Sequence, residues 1–131
     1  MYMVKIIKCE KQYWNFVREL RMNRDVVSGF IQTSKITEED QIKYMTKNCD
    51  NFLVALFDDE PAGFVGVIDN DIRVCTHPKF QNKGIGKIMI NTILEQFPEA
   101  FAKIKINNIA SEKLFESCGF VPSFTIYTKK I

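Results

Sequence analysis

A chain of 131 residues can bury one core but not two, so a single domain over residues 1–131 is expected, with no separate substrate domain. Hydrophobic residues at 46% and charged residues at 26% exclude the composition of a disordered chain. Eighteen basic against sixteen acidic residues leave a net charge of +2, too small to steer the whole molecule onto nucleic acid or a membrane.

Cys9, Cys49, Cys75 and Cys118 are widely spaced. They form neither the C-x-x-C pairs of a zinc or redox site nor the density of a secreted disulfide scaffold, and they read as reduced thiols of a cytoplasmic protein without a metal. At the N-terminus, Lys5 interrupts a short apolar run, and neither a long hydrophobic segment nor a small-residue cleavage site follows, so neither export nor anchoring is expected. No stretch approaches the ~20 apolar residues that cross a bilayer.

In chain order, Met3 to Cys9 is short and rich in β-branched residues, which predicts a strand. Trp14, Val17 and Leu20 then recur at helical spacing. Asn23 to Lys35 contains Ser28, Gly29, Thr33 and Ser34 and reads as a loop. Thr37-Glu38-Glu39-Asp40 has the hydroxyl and carboxylates of a helix N-terminus, for a helix running to about Lys47. Phe52–Phe57 and Ala62–Ile68 read as a hairpin around the turn Asp58-Asp59-Glu60-Pro61. Asp69-Asn70-Asp71 is a second tight turn, leading into a strand over Ile72–Thr76. Ile85, Ile88, Met89, Thr92 and Ile93 mark one face of a helix that ends before Pro98. Phe101–Ile106 alternates like a strand, Ile109–Cys118 reads as a helix stopped by Gly119, and Ser123–Lys130 as a last strand. A mixed α/β (α+β) sheet with helices on its faces is the economical burial of these stripes.

The strongest chemical signal is Gln81-Asn82-Lys83-Gly84-Ile85-Gly86-Lys87, between a strand and an amphipathic helix. Two glycines let main chain approach a ligand, the helix N-terminus favours negative charge, and Lys83 and Lys87 add to it: together they make an anion site. A glycine-softened loop with solvated lysines is the plainer alternative. A Walker loop is excluded, because Gln81 and Ile88 stand where it needs Gly and Ser or Thr. A dinucleotide fingerprint is excluded because its third glycine would fall at Met89.

Gln81, Gly84 and Gly86 match the Gln/Arg-x-x-Gly-x-Gly/Ala signature of the GNAT superfamily of N-acetyltransferases, which the chain resembles. The resemblance extends upstream to Val74-Cys75-Thr76-His77-Pro78 and downstream to Leu94. It has a second piece in Asn108, Ser111, Leu114, Phe115, Gly119 and Phe120. It implies a mostly antiparallel twisted sheet of about six to seven strands, splayed between strands four and five, with helices on both faces. In the splay, the main chains of Val74 and Thr76 would bond the pantetheine arm of acetyl-CoA as in strand addition. Residues 81 to 87 would hold the pyrophosphate. Asn108 and Ser111 would face the same arm, with a plain helix cap as the other reading.

The resemblance further implies direct attack of a neutral amine on the thioester, with a main-chain amide near Thr76 receiving the oxyanion. Relatives place a tyrosine where this chain has Phe115, which cannot donate a proton. Tyr127, Cys118 or a water would serve instead, or the thiolate leaves unaided, its ordinary pKa being ~8.5. A non-catalytic acyl-CoA-binding protein is the alternative. Asp71 is the candidate base, against a turn aspartate bonding its own backbone. His77, the single histidine, reads as a structural or surface residue. Trp14, Phe16 and Phe30 are candidates for an acceptor pocket or for core. Residues 20–27, with Phe30 and Ile36-Thr37-Glu38-Glu39, resemble members acting on nucleotide-linked amino sugars, and Arg21 and Arg24 suit a phosphorylated acceptor. The expected partner is a small-molecule primary amine, or second a protein or peptide amine, on a monomer or homodimer.

Overall fold

The structure, a computed structural model, describes residues 2–23 and 35–130. Four strands, β1 (Val4–Lys8), β2 (Phe52–Phe57), β3 (Glu60–Ile68) and β4 (Asp71–Thr76), pair antiparallel in that order. Two-residue turns join the last three. Asp58 and Asp59 have φ of 48° and 68°, and Asp69 and Asn70 of 52° and 64°. Aspartate and asparagine tolerate these left-handed angles, and the resulting mirror-image turns match the sheet's twist. Pro61, expected in the first turn, instead lies in β3, where the register shifts beside Ala55 and Leu56. A proline has no N–H for a ladder, and an irregularity is where a strand accepts one. Asp71 likewise opens β4 rather than closing the second turn.

Helices cover both faces. On one, α1 (Trp14–Arg21) and α2 (Glu38–Asn48) bury Val17, Leu20 and Met45 against Val54, Phe64 and Cys75. A full capping box starts α2: Thr37 Oγ1 accepts from Asp40 N at 3.0 Å, and Asp40 Oδ2 from Thr37 N at 3.3 Å. The buried Gln41 amide donates to Trp14 O at 2.8 Å and ties α2 to α1. On the other face, α3 (Ile85–Gln96) and α4 (Ile109–Ser117) pack Met89, Ile90, Ile93 and Phe115 on Ala55, Val65, Val67 and Ile72. A sheet covered on both faces explains the unbroken apolar run of β2, and each large side chain so buried contributes about 1.5–3 kcal/mol.

The two later strands are not formed as ladders. Among the described residues, 101–106 touch the sheet through one parallel bridge, Asp71 to Phe101, and 123–130 form no ladder, with Phe124 and Tyr127 95% and 92% exposed. Among the described residues the ordered sheet thus has four strands rather than six or seven. Alternation specifies a strand only where a neighbouring backbone answers its N–H and C=O groups. Ser28, Gly29, Thr33 and Ser34 of the expected loop lie outside the described residues. Among those described, no helix is long and apolar enough to cross a membrane.

Candidate functional site

β4 and residues 101–106 meet once and part. Ile72 N donates to Phe101 O at 2.9 Å and Phe101 N to Asn70 O at 2.8 Å, closing one end of a V. At the other end of β4, His77 N donates toward β3, to Ala62 O at 2.7 Å. Main-chain groups alternate in direction along a strand, so Val74 and Thr76, like Ile72, aim their N–H and C=O away from β3 into the opening. Beyond Ile72 no ladder partner answers them among the described residues. An open parallel edge of this kind is a template for an amide-bearing ligand.

The glycine loop follows. His77 Nδ1 accepts from Lys79 N at 3.1 Å and caps a 3-10 turn over Pro78–Phe80, a structural role. Gln81 Nε2 reaches back to Thr76 O at 3.4 Å and holds the loop against the strand end. Asn82 and Gly84 are left-handed at φ 64° and 78°, and Gly84, as N-cap, brings no side chain to α3. The N–H groups of Ile85, Gly86 and Lys87 have no intrahelical partner by position, and they open a 12-residue helix whose dipole favours an anion. The glycines act differently. A Cβ on Gly84 would meet nothing within 4 Å, so its left-handed angle is what requires glycine. A Cβ on Gly86 would meet Leu114 Cδ2 at 3.1 Å, so Gly86 serves the packing of α3 on α4. The Ile85 side chain is buried in the core, while Lys87 stays exposed. Lys83 lays its ammonium over Phe57 and Tyr2, 5.4 and 5.6 Å from the ring centroids.

The remaining candidates separate. Asn108 is the N-cap of α4, its Oδ1 accepting from Ser111 N at 3.2 Å, which is the plain capping role. Phe115 is a core ring, 5% exposed and edge-on to Phe120 at 5.2 Å. Tyr127 has no hydrogen bond or ring contact among the described residues, so the structure does not bring it to β4. Asp71 does not bond its own turn. Its Oδ2 lies 3.3 Å from Arg73 Nε, a residue that the sequence patterns did not single out. Trp14 donates Nε1–H to Cys9 O at 3.1 Å and packs in the α1–α2 core, whereas Phe16 lines a cleft of about 330 Å³ with Glu19, Glu60 and His77. Phe30 and Arg24 lie outside the described residues. Burial pushes the Cys75 thiol up to about 12. Burial and, after it, the neighbouring Cys49 push Cys9 up to about 12, so neither is a ready nucleophile.

Solved structures share this fold. A domain from Methanocaldococcus jannaschii DSM 2661 superposes with a TM-score of 0.80 at 22% identity, over 94% of this chain and 91% of that one. Spermidine N-acetyltransferase from Vibrio cholerae, in complex with CoA and spermine, gives 0.78 at 18%, over 92% and 82%. Ribosomal-protein-alanine N-acetyltransferase from Brucella melitensis gives 0.73 at 17%, over 88% and 83%. No curated protein matches the sequence. Residues 14–120 match the acetyltransferase (GNAT) family, and with the parted β4 edge and the glycine-opened α3 on the same span, the chain belongs to that family.

Proposed function

We propose that the protein transfers the acetyl group of acetyl-CoA to the primary amine of a small molecule, by direct attack within a ternary complex. The observation that carries this is the continuity of the outward main-chain groups of Val74 and Thr76 with the free first-turn amides of α3. The strand edge suits the amides of the pantetheine arm, and the helix terminus suits the diphosphate. Gln81 through Lys87 form the diphosphate loop, with Gly84 the residue whose side chain would obstruct it. Asn108 and Ser111 bound the far side of the arm, and the buried Phe115 supports that wall without donating a proton. The oxyanion of the tetrahedral intermediate meets main-chain amide near Thr76, the nitrogen sheds its extra proton to water, and the C–S bond breaks to release a thiolate that takes a proton from solvent or a bound water, since Tyr127 stands exposed and Cys118 is half-buried.

The acceptor is a small amine, as for the Vibrio cholerae neighbour with spermine. Release of free thiol from acetyl-CoA, followed across a panel of amines, tests the reading. Turnover with at least one amine is expected. Tight CoA binding without thiol release on any amine would instead mark a non-catalytic acyl-CoA-binding module, the reading that Phe115 favours.

A further inference from the structure

The glycine loop has a second neighbour besides the open edge of β4. Val4 stands opposite Phe57 across the β1–β2 ladder, so Tyr2, two residues earlier, falls on the same face as both. Asp58 N donates to Met3 O at 2.8 Å and Met3 N to Asp58 Oδ1 at 2.8 Å, which pins the chain before β1 against the hairpin turn. The Tyr2 ring lies on the Phe57 ring, with centroids 4.9 Å apart and planes 33° apart, and Phe57 in turn lies 5.4 Å from Phe80, just before the loop. Phe57 and Phe80 are buried, whereas Tyr2 is 72% exposed. Three rings therefore run from the core out to water beside the loop that opens α3.

Two lysines meet these rings differently. Lys79 stands 5.4 Å from the Phe80 centroid, and its Nζ also reaches the Glu60 carboxylate at 3.3 Å. Lys83 sets its ammonium over both Tyr2 and Phe57, at 5.6 and 5.4 Å. A ring face holds an ammonium in place without cancelling its charge, which a carboxylate does cancel. On the neighbouring hairpin turn, Asp58 accepts from Met3 N and Asp59 has Lys5 at 3.5 Å. Lys83 immediately precedes Gly84, the N-cap of α3, and Tyr2 and Phe57 belong to the β1–β2 side of the sheet, whereas the V opens beyond β4. A positioned positive charge and an exposed ring thus flank the loop on the side away from the V. A ligand that carries a phosphate beside a flat aromatic base fits this pair, since the ammonium pairs with the phosphate and the base stacks on the tyrosine.

We propose that Tyr2 and Lys83 hold the adenosine 3′-phosphate end of the acyl donor, Lys83 taking the 3′-phosphate and Tyr2 the adenine. The proposal rests on the acetyltransferase reading and deepens it by naming the donor: CoA itself, and not an acyl-carrier protein, whose phosphopantetheine arm bears no adenosine. With the arm along Val74 and Thr76 and the diphosphate on the first turn of α3, the adenosine is the part of CoA left to lie beyond the loop.

Titrations of CoA, dephospho-CoA and 4′-phosphopantetheine into the parent protein, Lys83→Gln and Tyr2→Leu test this, by calorimetry for the tight binders and by NMR for the weak ones. The parent is expected to bind CoA at least ~10-fold more tightly than dephospho-CoA, which lacks only the 3′-phosphate. Lys83→Gln should abolish that difference by weakening CoA alone. Tyr2→Leu still covers Phe57 but offers no ring, and should weaken CoA and dephospho-CoA at least ~5-fold while leaving 4′-phosphopantetheine unchanged. Equal binding of CoA and dephospho-CoA by the parent overturns the assignment. So does a Lys83→Gln loss of the same size for both, which gives the lysine to the diphosphate, and so does a Tyr2→Leu effect that is absent or is shared by 4′-phosphopantetheine. Each of these leaves the acetyltransferase reading standing, whereas CoA that fails to bind the parent at all overturns both.

Discussion

Replacing Gly84 by tryptophan separates the cost to the fold from the cost to the ligand. Gly84 sits at φ 78°, where an L-residue costs about 1–2 kcal/mol, and a Cβ there meets nothing within 4 Å, so no steric cost is added. Unfolding entropy near 2.1 cal/mol/K per residue gives about 0.28 kcal/mol/K for 131 residues, so the melting temperature should fall by only about 4–7 °C. The indole, however, fills the space before the free amides of Ile85, Gly86 and Lys87. Losing two charge-assisted hydrogen bonds at about 1.5–3 kcal/mol each weakens CoA binding by roughly two to four orders of magnitude. Scanning calorimetry and titration calorimetry on one preparation measure both. A variant that melts in the expected range and binds CoA like the parent refutes the assignment of the diphosphate to this loop. A fall beyond about 15 °C refutes the strain argument instead.

Other substitutions test neighbouring steps. Gly86→Ala should cost stability modestly, about 1–2 kcal/mol, because the clashing atoms are the ends of Leu114, and pairing it with Leu114→Ala should recover part of the loss in a double-mutant cycle of unfolding. Asp71→Asn should lower turnover by less than about 10-fold with no change in the acidic limb of the pH–rate profile, since this carboxylate is engaged with Arg73. A loss of 10² or more, with that limb abolished, would restore it as the base. Alkaline stability follows from Cys9 and Cys75, which stay protonated in the fold to about pH 12 but ionise near 9.0 when unfolded. Their contribution is full below about pH 9 and drains between pH 9 and 12, at about 1.4 kcal/mol per pH unit for each thiol. The double variant Cys9→Ala/Cys75→Ala should therefore flatten the fall in urea-unfolding free energy over that range, and parallel curves would contradict the assignment.

Most of the fold was legible because its signals are local. The Thr37–Asp40 box, the Asp-rich turns and the 3.6-residue stripe of α3 each act within a few residues. What failed to appear depends on partners far along the chain. Residues 101–106 and 123–130 carry strand-like alternation, yet a ladder needs a second backbone, and only Phe101 finds one. The glycine loop was readable as an anion site, but not the division of labour within it, since Gly86 answers to Leu114 across a helix interface. Arg73 escaped attention for a similar reason. Nothing in its spacing sets it apart, and only the fold shows its guanidinium 3.3 Å from the Asp71 carboxylate. Asp71 drew notice as a turn residue, whereas the two-residue turn ends before it and frees its side chain for Arg73.

The central claim is that coenzyme A lies along β4 with its diphosphate on the first turn of α3. Amide chemical shifts recorded while CoA is titrated into the isotope-labelled protein test it most directly. The account predicts that the largest changes fall on Val74, Thr76 and Gly84 through Lys87. Saturating CoA that leaves those amides unmoved, or moves only residues on the α1–α2 face, would contradict it.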